Sequence, residues 1–120
     1  MAETKTYAGG CHCGKVRYEV DLALEHVISC NCSICSKRGL MLAFAGGEQF
    51  RLLSGEDDLK DYRFHTHKIG HLFCTTCGVE SFARGERPGD GATMIAVNLR
   101  CVDGVDLETL PIRRFDGAKL

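Results

Sequence analysis

The chain of 120 residues lacks several features that mark common classes of protein. It has no apolar run close to the roughly 20 residues that a membrane-spanning helix needs. It has no excess of charge either, since 15 Lys and Arg face 16 Asp and Glu, for a formal net charge of -1. No block of basic residues supplies the electrostatic footprint of a nucleic-acid-binding or membrane-surface protein. We therefore expect neither nucleic acid nor a membrane among its partners.

Other absences concern targeting and organisation. The first residues lack the apolar core of a signal peptide. Internal repeats, linkers and low-complexity stretches are missing, and no stretch has a long helical period. We expect a cytoplasmic protein in which residues 1–120 form a single domain, a length that suffices for one hydrophobic core but not for two.

What the chain does have is eight cysteines. So many in a short chain indicate either disulfides or bound metal. The missing export signal disfavours disulfides, and so do the tight Cys-x-Cys and Cys-x-x-Cys spacings, because such close neighbours make better metal ligands than disulfide partners. A zinc ribbon for nucleic acid and a redox dithiol at Cys74 and Cys77 are weaker alternatives.

Seven of the cysteines divide into two groups. The first group offers four thiols from two separated pairs, which are Cys11, Cys13, Cys74 and Cys77. The second offers three thiols with no obvious fourth ligand beside them, which are Cys30, Cys32 and Cys35. Structural zinc is almost always held by four protein ligands, whereas catalytic zinc keeps three and leaves one position for water or substrate. The grouping predicts two zinc ions per chain, one closed and one open.

Other candidate residues have less distinctive patterns. Cys101, the eighth thiol, stands alone and is expected to be a buried structural cysteine rather than a fourth ligand of the open site. His12 is expected to point away from its neighbouring thiols on an extended stretch, in a structural role. Lys37 and Arg38 are expected to be solvated turn residues, although they could attract an anionic substrate. The remaining candidates could form a metal cluster but are expected to be surface or hydrogen-bonding residues: His65, His67 and His71.

Short apolar or alternating stretches, bounded by glycine and polar turns, predict a mainly β protein. The predicted strands cover residues 16–20, 24–29, 40–44, 50–53, 59–64, 69–73, 79–83 and 93–98. A turn is predicted at 36–39, a polar loop at 84–91, and a short edge segment in the tail at 110–117.

Three ordered cysteine motifs carry a resemblance to a known family. They are GGCHCGKVRY at 9–18, CNCSIC at 30–35 and FCTTCG at 73–78. Together with VNLRC at 97–101 and FDG at 115–117, they resemble the glutathione-dependent formaldehyde-activating enzyme family. The resemblance implies a zinc-stapled β-tent of short antiparallel strands. It also implies that the first and last cysteine pairs hold structural zinc, and that the middle triplet holds catalytic zinc.

The same resemblance implies a carbon–sulfur lyase that acts on a thiol–aldehyde adduct such as S-hydroxymethylglutathione, formed from glutathione and formaldehyde. An open zinc could bind the substrate thiol as thiolate or polarise the aldehyde oxygen. We favour thiol binding, because three thiolate ligands weaken the ion as a Lewis acid. Water, His71 or Arg38 could supply the proton. The alternative class is a non-catalytic zinc module that binds another protein.

Overall fold

The structure is a computed structural model that describes residues 3–64, 68–87 and 89–119. Within these residues it contains ten strands, one α-helix and five short 3-10 helices. The strands are β1 (Lys5–Gly10), β2 (Arg17–Leu22), β3 (Val27–Cys30), β4 (Met41–Gly46), β5 (Phe50–Ser54), β6 (Leu59–Tyr62), β7 (Gly70–Cys74), β8 (Phe82–Glu86), β9 (Thr93–Asn98) and β10 (Ile112–Phe115). The helix, α1, covers Ser33–Arg38. The 3-10 helices cover Gly47–Gln49, Glu56–Asp58, Leu99–Cys101, Leu107–Thr109 and Gly117–Lys119.

The described strands form two sheets. The small sheet has the order β1-β2-β5, and the large sheet has the order β10-β3-β4-β9-β8-β7-β6. All pairings between these strands are antiparallel except that of the edge strand β10 with β3. The mainly β, antiparallel class predicted from the sequence is therefore confirmed. No helix in the described part of the chain is long and apolar enough to cross a membrane.

The main hydrophobic core combines residues from both sheets. Tyr18 of β2 and Phe50 of β5 belong to the small sheet, and Phe82 of β8 belongs to the large one. Their rings pack against one another with centroids 4.6 to 5.9 Å apart. Tyr18 and Phe82 have no exposed surface, so this aromatic trio packs the two sheets against each other within the main core.

Most of the predicted strands are present, with shifted ends. The strand expected at 79–83 is the clearest displacement, because β8 begins only at Phe82. Residues 79–81 instead form backbone hydrogen bonds outside the strand. The N–H of Cys74 donates to the carbonyl of Val79 at 3.1 Å, and the N–H of Asn98 donates to the carbonyl of Ser81 at 3.0 Å. Residues 84–86, predicted as the start of a polar loop, consequently extend β8. β1 was not predicted, whereas the tail does form the expected edge strand, β10.

The prediction of a turn at 36–39 is wrong for residues 36–38, because these residues belong to α1. The helix begins after Cys32, whose sulfur accepts a hydrogen bond from the N–H of Cys35 at 3.5 Å. It ends at Gly39, whose φ of 67° lies in the left-handed region that glycine adopts without strain. Because the usual capping residues are Ser, Thr, Asp and Asn, a cysteine cap gives no recognisable start signal.

Substitution of Phe82 tests whether the aromatic trio holds the two sheets together. We expect Phe82→Ala to lower the free energy of unfolding by about 3–5 kcal/mol, because it leaves a cavity among buried rings. Phe44→Ala is the matched control, since Phe44 is 47% exposed, and it should cost less than about 1 kcal/mol. Urea unfolding measures both values, and equal costs would contradict the assigned core.

Candidate functional site

The structure brings together the four thiols of the first group. The ligand atoms of Cys11, Cys13, Cys74 and Cys77 all lie within 4.8 Å of one another. The sulfur of Cys13 is 3.6 Å from that of Cys11 and 3.7 Å from that of Cys74, which is 61 positions away in the sequence. Cys11 and Cys13 lie between β1 and β2, and Cys74 ends β7. This cluster, which could hold a metal ion, therefore ties the small sheet to the large one.

The local backbone at Cys11 differs from the predicted extended stretch. Residues 11–14 form a turn in which Gly14 donates its N–H to the carbonyl of Cys11 at 3.3 Å. The chain must reverse here because β1 and β2 are antiparallel neighbours. The turn still brings the two sulfurs together. His12, between them, is exposed and belongs to neither of the thiol clusters found among the described residues.

Backbone N–H groups surround the sulfurs of this cluster. Val16 donates to the sulfur of Cys11 at 3.4 Å, and Thr76 donates to that of Cys74 at 3.4 Å. Burial opposes ionisation of Cys77, but the N–H groups of Cys13 and Val79 and the neighbouring thiols bring its pKa down to about 6. Hydrogen bonds of this kind favour a thiolate over a thiol.

Not every thiol of this cluster ionises readily, however. An N–H donor at Lys15 favours the thiolate of Cys13, yet burial and the three neighbouring thiols raise its pKa to about 11. Four adjacent thiolates repel one another unless a cation lies between them. The donor set and its surroundings therefore suit a metal ion.

The three thiols of the second group also meet, with their ligand atoms within 4.8 Å of one another. Cys30 is the last residue of β3, Cys32 precedes α1, and Cys35 lies within the helix. Cys32 donates its N–H to the sulfur of Cys30 at 3.4 Å. Burial, followed by the neighbouring thiols, raises the pKa of Cys35 far above its usual value. Among the described residues, no fourth Cys, His, Asp or Glu atom completes this cluster.

The end of the described chain packs directly onto this triplet. Asn31 donates its backbone N–H to the carbonyl of Phe115 at 3.2 Å, and its side-chain amide donates to Asp116 at 3.0 Å. Ala118 donates in return to the side-chain oxygen of Asn31 at 2.9 Å. A Cβ added at Gly117 would lie 2.5 Å from the sulfur of Cys30. The FDG motif at 115–117 is therefore one wall of the triplet, and it needs its glycine for this close approach.

A cavity of about 920 Å³ opens beside the triplet. Its polar side chains include Arg113 and Arg114 of β10, both exposed at the sheet edge. Leu40 and Leu42 are buried, whereas Phe44, Ile69 and Phe115 are about half exposed. Most of its apolar walls come from seven side chains: Ile28, Leu40, Leu42, Phe44, Phe64, Ile69 and Phe115. The thiols therefore face a mainly apolar space that has cations on one side.

Two buried polar residues line the same cavity. His71 is 6% exposed and Glu80 is 4% exposed. The Nδ1 atom of His71 is 3.0 Å from one carboxylate oxygen of Glu80, and Arg38 donates a hydrogen bond to the other oxygen. The guanidinium carbon of Arg38 also lies 5.4 Å from the ring centroid of Phe73.

This network corrects one expectation and extends another. Arg38 and Lys37 are both exposed as expected, but they lie in α1 rather than in a turn, and Arg38 is also an ion-pair partner of Glu80. His71 is a hydrogen-bonding residue as predicted, but it is buried. Glu80 was not identified as a site residue, because a single acid in the apolar stretch VESFA has no spacing that marks it.

Cys101 joins neither thiol cluster among the described residues. It is half-buried, and its sulfur lies 4.0 Å from the carbonyl of Glu80. Burial, together with the thiols of Cys11 and Cys77, raises the pKa of Cys101 to about 11. Its predicted structural role is consistent with this position. His65 and His67 lie outside the described residues, so their role stays a prediction.

The fold and the two thiol clusters define a mainly β protein with two candidate metal sites, one of which faces a cavity. The model of the family described as glutathione-dependent formaldehyde-activating enzyme matches residues 6–112. The chain belongs to this family. It is also similar to the crystal structure of a Rhodobacter sphaeroides protein, with 32% identity over 88% of this chain and 99% of that chain and a TM-score of 0.75.

The two clusters should contribute differently to stability. We expect two metal ions per chain, one retained and one lost under mild chelation. Cys77→Ser should lower the free energy of unfolding by at least about 3 kcal/mol, because metal binding that joins distant segments is also folding free energy. Cys35→Ser, within a local cluster, should cost about 1 kcal/mol. Thermal unfolding with metal analysis measures this, and equal losses would mean that the clip between the sheets is misassigned.

The close approach at Gly117 gives a second test of the triplet. We expect Gly117→Ala to release the metal of the triplet at least about tenfold faster, because the added methyl displaces either the sulfur of Cys30 or the C-terminal wall. Gly85→Ala is the matched control, since a Cβ there meets its nearest atom at 3.4 Å, an ordinary contact. Metal release to a chromogenic chelator measures both rates. An unchanged rate in Gly117→Ala would show that the C-terminal wall moves aside without disturbing the sulfur of Cys30.

Proposed function

We propose that this protein is a zinc-dependent, carbon–sulfur lyase-like enzyme that joins a small thiol to a small aldehyde or cleaves their adduct. The family implies formaldehyde activation with glutathione, and S-hydroxymethylglutathione is accordingly the first adduct to test. The observation that carries the proposal is the triplet of thiols, which has no fourth ligand among the described residues and faces the cavity.

Zinc fits both clusters on chemical grounds. Thiolates are soft ligands, and groups of three or four of them are typical of zinc sites. Buried thiols such as Cys35, whose pKa is raised, need a cation to ionise together with their neighbours. We assign a structural zinc to Cys11, Cys13, Cys74 and Cys77. We assign a catalytic zinc to Cys30, Cys32 and Cys35.

The two zinc assignments also bear on the domain organisation and on the cellular compartment. With zinc in both clusters, residues 1–120 would form one domain of the β-tent type. Cysteines that bind zinc must stay reduced, which is consistent with a reducing compartment such as the cytoplasm.

The reaction requires little of the protein beyond binding and proton transfer. In the synthetic direction the thiol sulfur bonds to the carbonyl carbon, and the proton of the thiol ends on the carbonyl oxygen. Cleavage reverses both changes, so that neither an oxidant nor a reductant is needed. When bound by the triplet, zinc supplies an open coordination position that favours the thiolate of a substrate thiol. The walls of the cavity are mainly apolar, which lowers the local dielectric constant and strengthens electrostatic interactions at the reacting atoms.

The cavity also suits the thiol that the family name specifies. At about 920 Å³ it is large enough for a tripeptide-sized ligand. Glutathione carries two carboxylates, and guanidinium groups bind carboxylates with paired hydrogen bonds. Arg113 and Arg114 line the cavity and form no ion pair with other described residues. We infer that they attract the carboxylates while the thiol reaches the triplet.

A non-catalytic zinc module is the second candidate. The observation that favours it is the exposure of apolar side chains around the cavity, where Phe44, Ile69 and Phe115 are 47%, 52% and 49% exposed. Such a patch could contact another protein. The two candidates differ in whether the protein changes the rate of thiol exchange.

Free thiol disappears quickly on uncatalysed addition to formaldehyde, so exchange at equilibrium is the better assay. We expect the wild-type protein to accelerate exchange between glutathione and S-hydroxymethylglutathione, as measured by NMR exchange spectroscopy. Cys32→Ser should lose at least about 90% of that acceleration while it stays folded through the other cluster.

Cys101→Ser is the matched control, because this thiol lies outside both clusters, and it should keep the acceleration. If wild type and Cys32→Ser gave the same exchange rate across several thiols and aldehydes, the enzyme proposal would fail for those substrates. The non-catalytic module would then be favoured.

A further inference from the structure

We propose that His71 is the proton-transfer residue of this site and that Glu80, held by Arg38, positions it. The inference rests on the proposed function, since it concerns the same thiol–aldehyde reaction. Three separate parts of the chain supply the three side chains: His71 is in β7, Glu80 precedes β8, and Arg38 ends α1. His71 and Glu80 line the cavity that the thiol triplet faces, and Arg38 donates a hydrogen bond to Glu80; this arrangement is the observation that carries the inference.

The Glu80 carboxylate does more than neutralise a nearby cation. Its side chain is 2% exposed, and a carboxylate buried this deeply needs a charged partner, which Arg38 provides. The second carboxylate oxygen, Oε2, is then available to His71, whose Nδ1 lies 3.0 Å away. The histidine is therefore held by a fixed acceptor whose own charge is already balanced.

This contact defines which nitrogen of His71 can react. A carboxylate only accepts hydrogen bonds, so Nδ1 carries the proton that is donated to Glu80, and the neutral ring keeps its lone pair on Nε2. Within the described residues, Nδ1 is the ring nitrogen that has a hydrogen-bond partner. The Phe64 ring, with its centroid 5.6 Å from that of the imidazole, packs against the histidine. Because His71 lines the cavity and Nε2 has no hydrogen-bond partner among the described residues, we assign Nε2 as the nitrogen that meets a bound substrate.

The other polar groups near this histidine are poorly placed for the same task. Arg38 is committed to Glu80, and a guanidinium does not release its proton in proteins. Tyr62, opposite His71 in the β6–β7 register, is 47% exposed and is not among the described residues that line the cavity. The thiols of the triplet are assigned to metal. A buried imidazole held by a carboxylate is the usual arrangement for a general acid or base.

His71 would move one proton in each direction of the reaction. In synthesis, Nε2 accepts the proton of the substrate thiol, the sulfur bonds to the carbonyl carbon, and the imidazolium returns the proton to the carbonyl oxygen. In cleavage, Nε2 takes the proton of the adduct hydroxyl, the carbon–sulfur bond breaks to leave the aldehyde, and the sulfur regains the proton. The imidazole is unchanged after each turnover, so all atoms and electrons balance.

The test is His71→Gln in the zinc-loaded protein, assayed by the same NMR exchange of glutathione with S-hydroxymethylglutathione. We expect exchange at saturating glutathione to fall at least about 100-fold, as is typical for loss of a general acid or base. Zinc content and the glutathione concentration at half-saturation should change less than about threefold, since neither depends on proton transfer. His26→Gln, outside the cavity lining, is the matched control and should keep the wild-type rate.

The role of Glu80 has its own readout. The nitrogen-15 chemical shifts of the His71 ring should show a proton on Nδ1 in the wild type and a mixture of tautomers in Glu80→Gln. If Glu80 had only a structural role, Glu80→Gln would leave the tautomer of His71 unchanged. This measurement needs no substrate, and it stays informative if His71→Gln does not fold.

The outcomes separate the two proposals. If His71→Gln exchanges at the wild-type rate while Cys32→Ser does not, the role of His71 is overturned and the proposed function stands. If His71→Gln loses zinc from the triplet, or if the wild-type ring carries its proton on Nε2, the histidine is structural and the inference also fails. If the wild-type protein accelerates no exchange, both proposals fail together.

Discussion

The meeting of two turns, one with Cys11 and Cys13 and the other with Cys74 and Cys77, is the constraint on which the rest of the structure depends. It fastens the small sheet to the end of β7 in the large sheet. The same turn after β7 brings the carbonyl of Val79 back to the N–H of Cys74 at 3.1 Å. His71 lies three residues before this turn and Glu80 three residues after it. The candidate structural site therefore also sets the geometry of the cavity wall.

Two kinds of feature could be predicted from the sequence. Within each pair or triplet the thiols are two to three positions apart, and such local spacing brings the sulfurs of that pair or triplet close together. Strands such as β5 and β9 could be found from their apolar pattern and flanking turns. The helix that carries Cys35 could not be found, because its cap is a cysteine and its six residues are too few to show a helical period.

The remaining parts of the site depend on pairs that are far apart in the chain. Arg38 and Glu80 are 42 positions apart, and Asn31 and Asp116 are 85 apart. Neither pair has a local spacing that would suggest contact. The burial of Glu80 depends on where β8 begins. The turn after β7 determines that start, and the apolar pattern of VESFA does not. Cysteine spacing thus identifies the candidate ligands, whereas the groups that surround the substrate emerge only from the three-dimensional fold.

The position of β10 also has a consequence for how the protein is made. This strand pairs in parallel with β3 at the sheet edge and leads to Gly117, which lies against Cys30, yet it leaves the ribosome after the other described strands. All seven clustered thiols have therefore emerged before the last wall of the cavity can dock. The thiol triplet therefore stays uncovered on this side until β10 docks, and the tail then completes the wall of the cavity.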